Sequence, residues 1–201
     1  MTIAALSEHA EEASGLLFRT IAAHRAAVSV LEPFARRRLA GPREDREQIQ
    51  CQATLVRLLS ITESFCSDRL LEEVERIIAP SRHKTVSEVW DRVAISATNT
   101  WAEQQKAYKE LLGVTLTSSD WKSVEQLAEA RNAVAHGLGR LTRRQQRNQQ
   151  SVHAKLASCG ISVRNGQIIV NDSVLFNAAQ TCRSFIERLD AAIEDRPAPY
   201  T

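Results

Sequence analysis

Apolar positions recur every three or four residues over most of the chain, the period of one face of a helix. From about Ile3 to Leu39 the stripe runs through Leu6, Ala10, Ala13, Leu17, Thr20, His24, Val28 and Leu31, and Gly41–Pro42 stop it. A second stripe (Ile49, Ala53, Val56, Leu59, Phe65, Leu70, Val74 and Ile77) predicts a helix from about Glu44 to Ala79, ended by Pro80. At ~35 residues apiece these two helices would each be ~50 Å long, a reach that suits contact with a partner. A third helix is expected from about Val86 to Leu112. There Val89, Val93, Ile95, Ala97 and Leu111 supply the apolar face, with Trp90, Trp101 and Tyr108 as large packing pieces.

After a Thr-rich loop, Ser118-Ser119-Asp120 offer N-cap side chains ahead of Trp121. That fourth helix runs to His136, where Gly137 and Gly139 fit a left-handed C-cap. A polar, basic segment from about Thr142 to Ser158 follows. Short apolar runs at Ile161–Val163 and Gln167–Val170 then flank Arg164-Asn165-Gly166, and Asn-Gly is the strongest short-range hairpin signal. A last helix, from about Ser173 to Glu194, presents Leu175, Phe176, Ala179, Cys182, Phe185, Ile186 and Leu189 before a frayed end at Pro197 and Pro199. The pattern predicts an all-α, up-and-down helical bundle with long first two helices and one small C-terminal β-hairpin at about 161–170. One domain over residues 1–201 is expected.

Composition agrees with that picture. Hydrophobic residues make up 43% and charged residues 25%, which excludes a disordered chain. Seven Gly and five Pro are few for 201 residues and favour long helices over a sandwich of short strands. A net charge of +2 pulls only weakly on anions, so any nucleic-acid contact must come from local clustering. No apolar run reaches the ~20 residues that span a bilayer, and the stretch from Met1 to His9 lacks a basic start, so a cytoplasmic protein without membrane contact is expected. Cys51, Cys66, Cys159 and Cys182 form no C-x-x-C pair and have no His at metal-ligand spacing. Reduced thiols are expected, with no metal and no cofactor. His24 lies on the first apolar stripe and reads as a packing residue; His9, His83 and His153 share no metal-binding spacing. Absent, too, are a Gly-rich phosphate loop, a nucleophile elbow and paired catalytic carboxylates.

The most chemical stretch is Arg131-Asn132-Ala133-Val134-Ala135-His136-Gly137. Arg131 offers a planar fork of donors that suits a phosphate, and His136 can give or take a proton near neutral pH. Asn132 and His136 are four apart on one helical face, whereas Arg131 and His136 are about 140° apart. One helix therefore cannot close both groups around a single atom, but two copies across a symmetric interface can. Arg140, Arg143, Arg144 and Arg147 follow at i, i+3, i+4, i+7, which on a continuous helix stacks four guanidinium groups along one face. Such a row tracks a phosphate backbone; a solvated polar face is the alternative. Arg36-Arg37-Arg38 reads as solvation near a helix end. The plainer alternative for the motif is structural: a His near a helix C-terminus is favoured by the macrodipole, and Arg131 could pair with Glu125, Glu129 or a carboxylate from another helix.

The run from Leu127 to Gly137 resembles the signature of the HEPN superfamily (higher eukaryotes and prokaryotes nucleotide-binding), whose ribonucleases carry an Arg-polar-x-x-x-His motif late in an all-helical domain. Ser60-Ile-Thr-Glu63-Ser-Phe-Cys-Ser-Asp68 is similar to the Glu-bearing second helix of the RiboL-PSP-like branch, and the segment Gly160–Val170 to its hairpin tail. The resemblance implies a metal-independent endoribonuclease that cleaves cellular RNA by 2′-hydroxyl attack, leaving a 2′,3′-cyclic phosphate and a 5′-hydroxyl. It implies a homodimer with a composite site, acting as a defence or toxin effector under an antitoxin or other regulatory partner. Arg131 and His136 would be catalytic, Asn132 would orient a group, and Glu63 would neutralise or position Arg131. Some HEPN toxins carry a Tyr two residues after the His, which a nucleotidyltransferase modifies; Leu138 stands there, so that control route is in doubt. The alternative is a non-catalytic HEPN module that binds a partner protein or nucleotide.

Overall fold

The computed structural model describes residues 6–34, 43–81 and 84–196. Gly41–Pro42, Arg36–Arg38, His83, Pro197 and Pro199 lie outside the described residues. Within them the chain forms α1 (Glu8–Phe34), α2 (Arg43–Ile78), a 3₁₀ turn (Ala79–Ser81), α3 (Lys84–Ala97), α4 (Trp101–Leu112) and α5 (Ser118–Gly137). Then come α6 (Arg143–Arg147), α7 (Gln149–Ser158), strands β1 (Ser162–Arg164) and β2 (Gln167–Ile169), and α8 (Asp172–Glu194). This is an all-α bundle with one small antiparallel hairpin, as the periodicity predicts.

The central element is α2, which packs against α1, α8, α5 and α4. Its 36 residues make it about 54 Å long. Leu55, Leu58, Leu59, Cys66 and Leu70 of its stripe are fully buried, and Leu175, Ile186 and Leu189 of α8 meet them in the same core. Behind α5 lies an aromatic cluster: Trp121 and Phe185 are 5.0 Å apart, Trp101 and Phe185 5.8 Å, and Tyr108 and Trp121 6.1 Å. Edge-on and tilted rings fill this space at low electrostatic cost and hold α4, α5 and α8 together. Ser7, at the start of α1, is pinned from the far end of the chain, its N–H and hydroxyl both donating to the Asp190 carboxylate. The Ser7 hydroxyl also accepts the Ala10 N–H at 3.3 Å and so caps α1, which starts at Glu8; the expected start at Ile3 lies outside the described residues.

Three expected segments differ in detail. The third breaks at Thr98–Thr100 because Thr100 adopts an extended backbone and its hydroxyl accepts the Glu103 N–H, starting α4 afresh. With α3 detached, Val89, Val93 and Ile95 are exposed and only Trp90 and Ala97 are buried, contrary to the expected apolar face; Leu111 and, on α2, Ile49 are exposed as well. The basic segment breaks at Asn148 into α6 and α7. For α5 the cap is Thr117, one residue ahead of the expected group. Its hydroxyl takes the Asp120 N–H while Asp120 reaches back to the Thr117 N–H, a reciprocal capping box.

The hairpin turns through Asn165 (φ 50°) and Gly166 (φ 76°), both left-handed, the geometry of a type I′ turn that Asn-Gly favours. It also holds the chain that leaves α5. Gly139 accepts the Ile168 N–H at 2.9 Å, Leu141 donates to the Gly166 carbonyl at 2.8 Å, and Arg140 bridges Gln167. From α2, Gln48 exchanges two hydrogen bonds with Val170 and Gln52 donates to Ile168. So the hairpin is a clamp on the residues immediately after His136.

Candidate functional site

The α5 motif lies over the middle of α2. Tyr108 donates to the Cys66 carbonyl at 2.7 Å, and Gln104 donates to the Ser67 hydroxyl at 3.1 Å, so α4 fixes the α2 turn just beyond Glu63. Glu63 takes the Arg131 guanidinium in an ion pair, with both side chains about three-quarters buried. The same guanidinium donates to the Asn132 side-chain carbonyl at 3.2 Å. Arg131 thus pairs with the carboxylate from another helix, not with Glu125 or Glu129.

Glu129, one turn before Ala133, has a different task. Its carboxylate accepts from Lys155 of α7 at 3.0 Å and from Gln145 of α6 at 3.1 Å, while Gln145 also donates to the Glu129 carbonyl at 2.8 Å. Gln145 is buried, and its side-chain carbonyl accepts the Thr142 N–H to complete a second capping box. This strut ties α6 and α7 to α5. The sequence offered Glu129 only as a partner for Arg131, and did not single out Gln145 or Lys155. The Thr142-x-x-Gln145 spacing was the available signal.

Two depressions flank Asn132, which lines both. The larger, about 770 Å³, is lined by His136, Asn132, Glu129, Arg144 and Lys155, among others. The smaller, about 300 Å³, is lined by Arg131, Glu63, Asn132, Trp101 and Gln104 together with the α3–α4 corner. Arg131 and His136 therefore line separate walls of one protomer, as their helical offset requires. The His136 side chain is exposed and makes no hydrogen bond or ion pair among the described residues. Nor does Arg144.

The arginine row is not continuous. Arg140 precedes α6, sits in a bridge to β2 and donates to the Asn165 carbonyl at 3.0 Å. Only Arg143, Arg144 and Arg147 share the one-and-a-half-turn α6, all exposed. The helix cap is a second correction: Gly137 is the last helical residue and Leu138 (φ 53°) takes the left-handed position, 91% exposed, followed by Gly139.

Elsewhere the titratable groups are structural. His24 is buried, its Nδ1 lies 3.0 Å from the Thr54 hydroxyl, and burial lowers its pKa despite the attraction of Asp172. Burial would raise the Asp120 carboxyl, but hydrogen bonds from Thr117 and Arg188 outweigh it and hold it below its usual range. All four cysteines are free, and burial pushes the Cys182 thiol up to about 12. Among the described residues no cluster of three or more His, Cys, Asp or Glu could hold a metal ion, and no helix is long and apolar enough to cross a membrane.

Compared with known proteins, the chain matches no family model, and no curated protein or solved structure is significantly similar to it. The fold itself defines the class: an all-α bundle with a hairpin clamp and a polar site on its fifth helix.

Proposed function

We propose that the protein is a HEPN-type endoribonuclease that cleaves cellular RNA without a metal and works as a homodimer. The observation that carries the reading is the pairing of a committed arginine with an uncommitted histidine on one helix. Arg131 is held by Glu63 and Asn132, while His136, one turn past Asn132, is exposed beside a roomy depression that also presents the uncommitted Arg144. In RNA the 2′-hydroxyl already sits next to its own phosphate, so the enzyme supplies neither nucleophile nor metal. The 2′ oxygen attacks phosphorus, the P–O5′ bond breaks, and a 2′,3′-cyclic phosphate and a 5′-hydroxyl result. One His136 takes the 2′ proton and the other gives a proton to the departing 5′ oxygen, help typically worth ~10²–10⁴ in rate. Arg131 faces the extra negative charge of the phosphorane. Because Arg131 and His136 line different walls of one protomer, the complete site needs the twin motif. Leu138, exposed at the motif's end, offers an apolar contact for that twin. Growth arrest in defence or stress, under an antitoxin or other regulator, is the biological role that fits such an enzyme.

A second reading rests on the same ion pair: an Arg131 occupied by Glu63 is also what a non-catalytic module binding a protein or nucleotide would contain. Incubating the purified chain with total RNA in EDTA, and analysing the new ends, separates the two. The enzyme yields cyclic phosphate ends, and His136→Ala folds and dimerises yet loses cleavage by at least ~10²-fold. Intact RNA beside concentrated, dimeric wild-type protein refutes the enzyme.

A further inference from the structure

We infer that the surface formed by the hairpin tip and α6 docks a base-paired RNA stem, which presents an adjoining unpaired nucleotide to His136. The ligand class rests on the ribonuclease reading; the surface itself does not. Between Glu129 and Asp172 the chain has seven Arg or Lys and no Asp or Glu. At the average acid content of the chain, that stretch would hold about five carboxylates. With 26 basic and 24 acidic residues in the whole chain, the rest carries 19 against 24. A segment of charge +7 is thus set against a remainder of −5, a division that the net charge of +2 conceals.

The fold gathers these charges into a patch. Gln167 is paired with Arg164 on one side and bridged to Arg140 on the other, and directly opposed residues project from the same face. Arg140 and Arg164 therefore share one face at the hairpin tip, about 10 Å apart. At most about 11 Å of chain leads from Arg140 to Arg143. On α6 the buried Gln145 faces inward, so Arg143 and Arg147 point outward, about 160° away, and Arg144 turns sideways to line the His136 depression. The side chains of Arg143, Arg144, Arg147 and Arg164 are exposed and make no hydrogen bond or ion pair among the described residues. Elsewhere Arg25, Arg69, Arg76, Arg183, Arg188 and Arg196 each meet a carboxylate. Neighbouring cations without partners repel one another, and a phosphate backbone relieves that repulsion.

Single-strand binders rely on aromatic rings on which bases stack, and this segment has no Phe, Trp or Tyr. The exposed rings among the described residues, Phe18 and Phe176, belong to α1 and α8, and Arg183 lies over Phe18. Amides accompany the arginines instead: Gln146, Asn148, Gln149, Gln150 and Asn165 are all exposed. Cations for phosphates and amides for 2′-hydroxyls suit the wide, shallow minor groove of an A-form stem. The stem itself is not cut, because A-form geometry holds each 2′ oxygen out of line with the 5′ oxygen it must displace. The cut falls on the unpaired nucleotide that leaves the stem, and Arg144, shared by the patch and the His136 depression, marks that junction.

The test measures binding by fluorescence anisotropy, using the full chain with His136→Ala so that the RNA stays intact. The probes are an RNA stem-loop, an unstructured RNA of the same length and a DNA hairpin of the same sequence. The stem-loop should bind at least tenfold more tightly than either of the others at physiological salt. Arg143→Gln, Arg147→Gln and Arg164→Gln together should weaken it at least tenfold and flatten the slope of log affinity against log salt by about 2–3. These side chains have no partners to lose, so circular dichroism should show an unchanged fold. Removing three charges outside the patch, with Arg92→Gln, Lys109→Gln and Lys122→Gln, should weaken the stem-loop less than threefold. Equal affinity for the unstructured RNA or the DNA hairpin overturns the inference, as does an equal loss in the two triple variants. Wild-type protein in EDTA should cut the loop next to the stem. Stem binding without cleavage keeps the surface and removes the ribonuclease; cleavage with no preference for stem-loops keeps the ribonuclease and removes the surface.

Discussion

Replacing Gly139 with Ala tests the clamp that holds the chain beyond His136. Gly139 has φ +82°, and an added Cβ would stand 2.6 Å from Gln52 Oε1 and 2.8 Å from Nε2. Real Cβ atoms do not approach that closely, so the Gln52 amide must swing away. Doing so breaks its donation to the Ile168 carbonyl, now 3.2 Å, in a side chain only 7% exposed. A displaced buried amide costs about 1–3 kcal/mol, and Ala in the left-handed region about 1–2 kcal/mol. Gly139→Ala should therefore destabilise the fold by about 2–5 kcal/mol, a drop in Tm of roughly 4–20 °C for a chain of this size. Urea and thermal melts measure it. The close approach is isolated by a double-mutant cycle: in a Gln52→Ala background the same change should cost only the backbone part, about 1–2 kcal/mol. A cost below about 0.5 kcal/mol, or an equal cost in both backgrounds, refutes the reasoning.

His24 predicts a pH dependence. Burial holds its folded-state pKa below the ordinary value of about 6.5, so on acidification the unfolded chain takes up this proton first. Stability is lost as pH falls from about 6.5 towards the lowered folded value. Wild-type protein should therefore lose more stability than His24→Gln between about pH 7.5 and 5.5 in urea melts, and equal losses would exclude the effect. Gln145→Ala removes the second capping box and both bonds to Glu129, and should cost about 1–3 kcal/mol in the same assay. Under the ribonuclease reading it should also slow cleavage without moving the pH profile, because Gln145 positions α6 and moves no proton.

Much of the architecture was legible because its causes are local. The stripe Ala10, Ala13, Leu17, Thr20, His24 has the helical period, and all five positions are buried. Asn165-Gly166 demanded a left-handed pair, and the hairpin turns there. The break before α4 was readable as well: Thr100 and Glu103 have the spacing of a helix start, but the apolar residues on either side suggested one continuous face.

Other features depend on groups far apart in the chain. The residue pattern left Arg131 open to Glu125, Glu129 or a carboxylate from another helix, and only the family resemblance named Glu63; the pair forms across 68 positions because α2 passes beneath α5 and α4 holds its turn. Arg140 has helical spacing to Arg143 and Arg144, but β2 draws it into a bridge first. Trp101, Gln104 and Arg131 line one depression only once α4 folds back against α2 and α5. Periodicity and capping preferences act over a few residues and can be read in order along the chain. Which carboxylate meets which guanidinium depends on how the helices stack, and helix stacking minimises exposed apolar surface over the whole molecule, which no local pattern encodes.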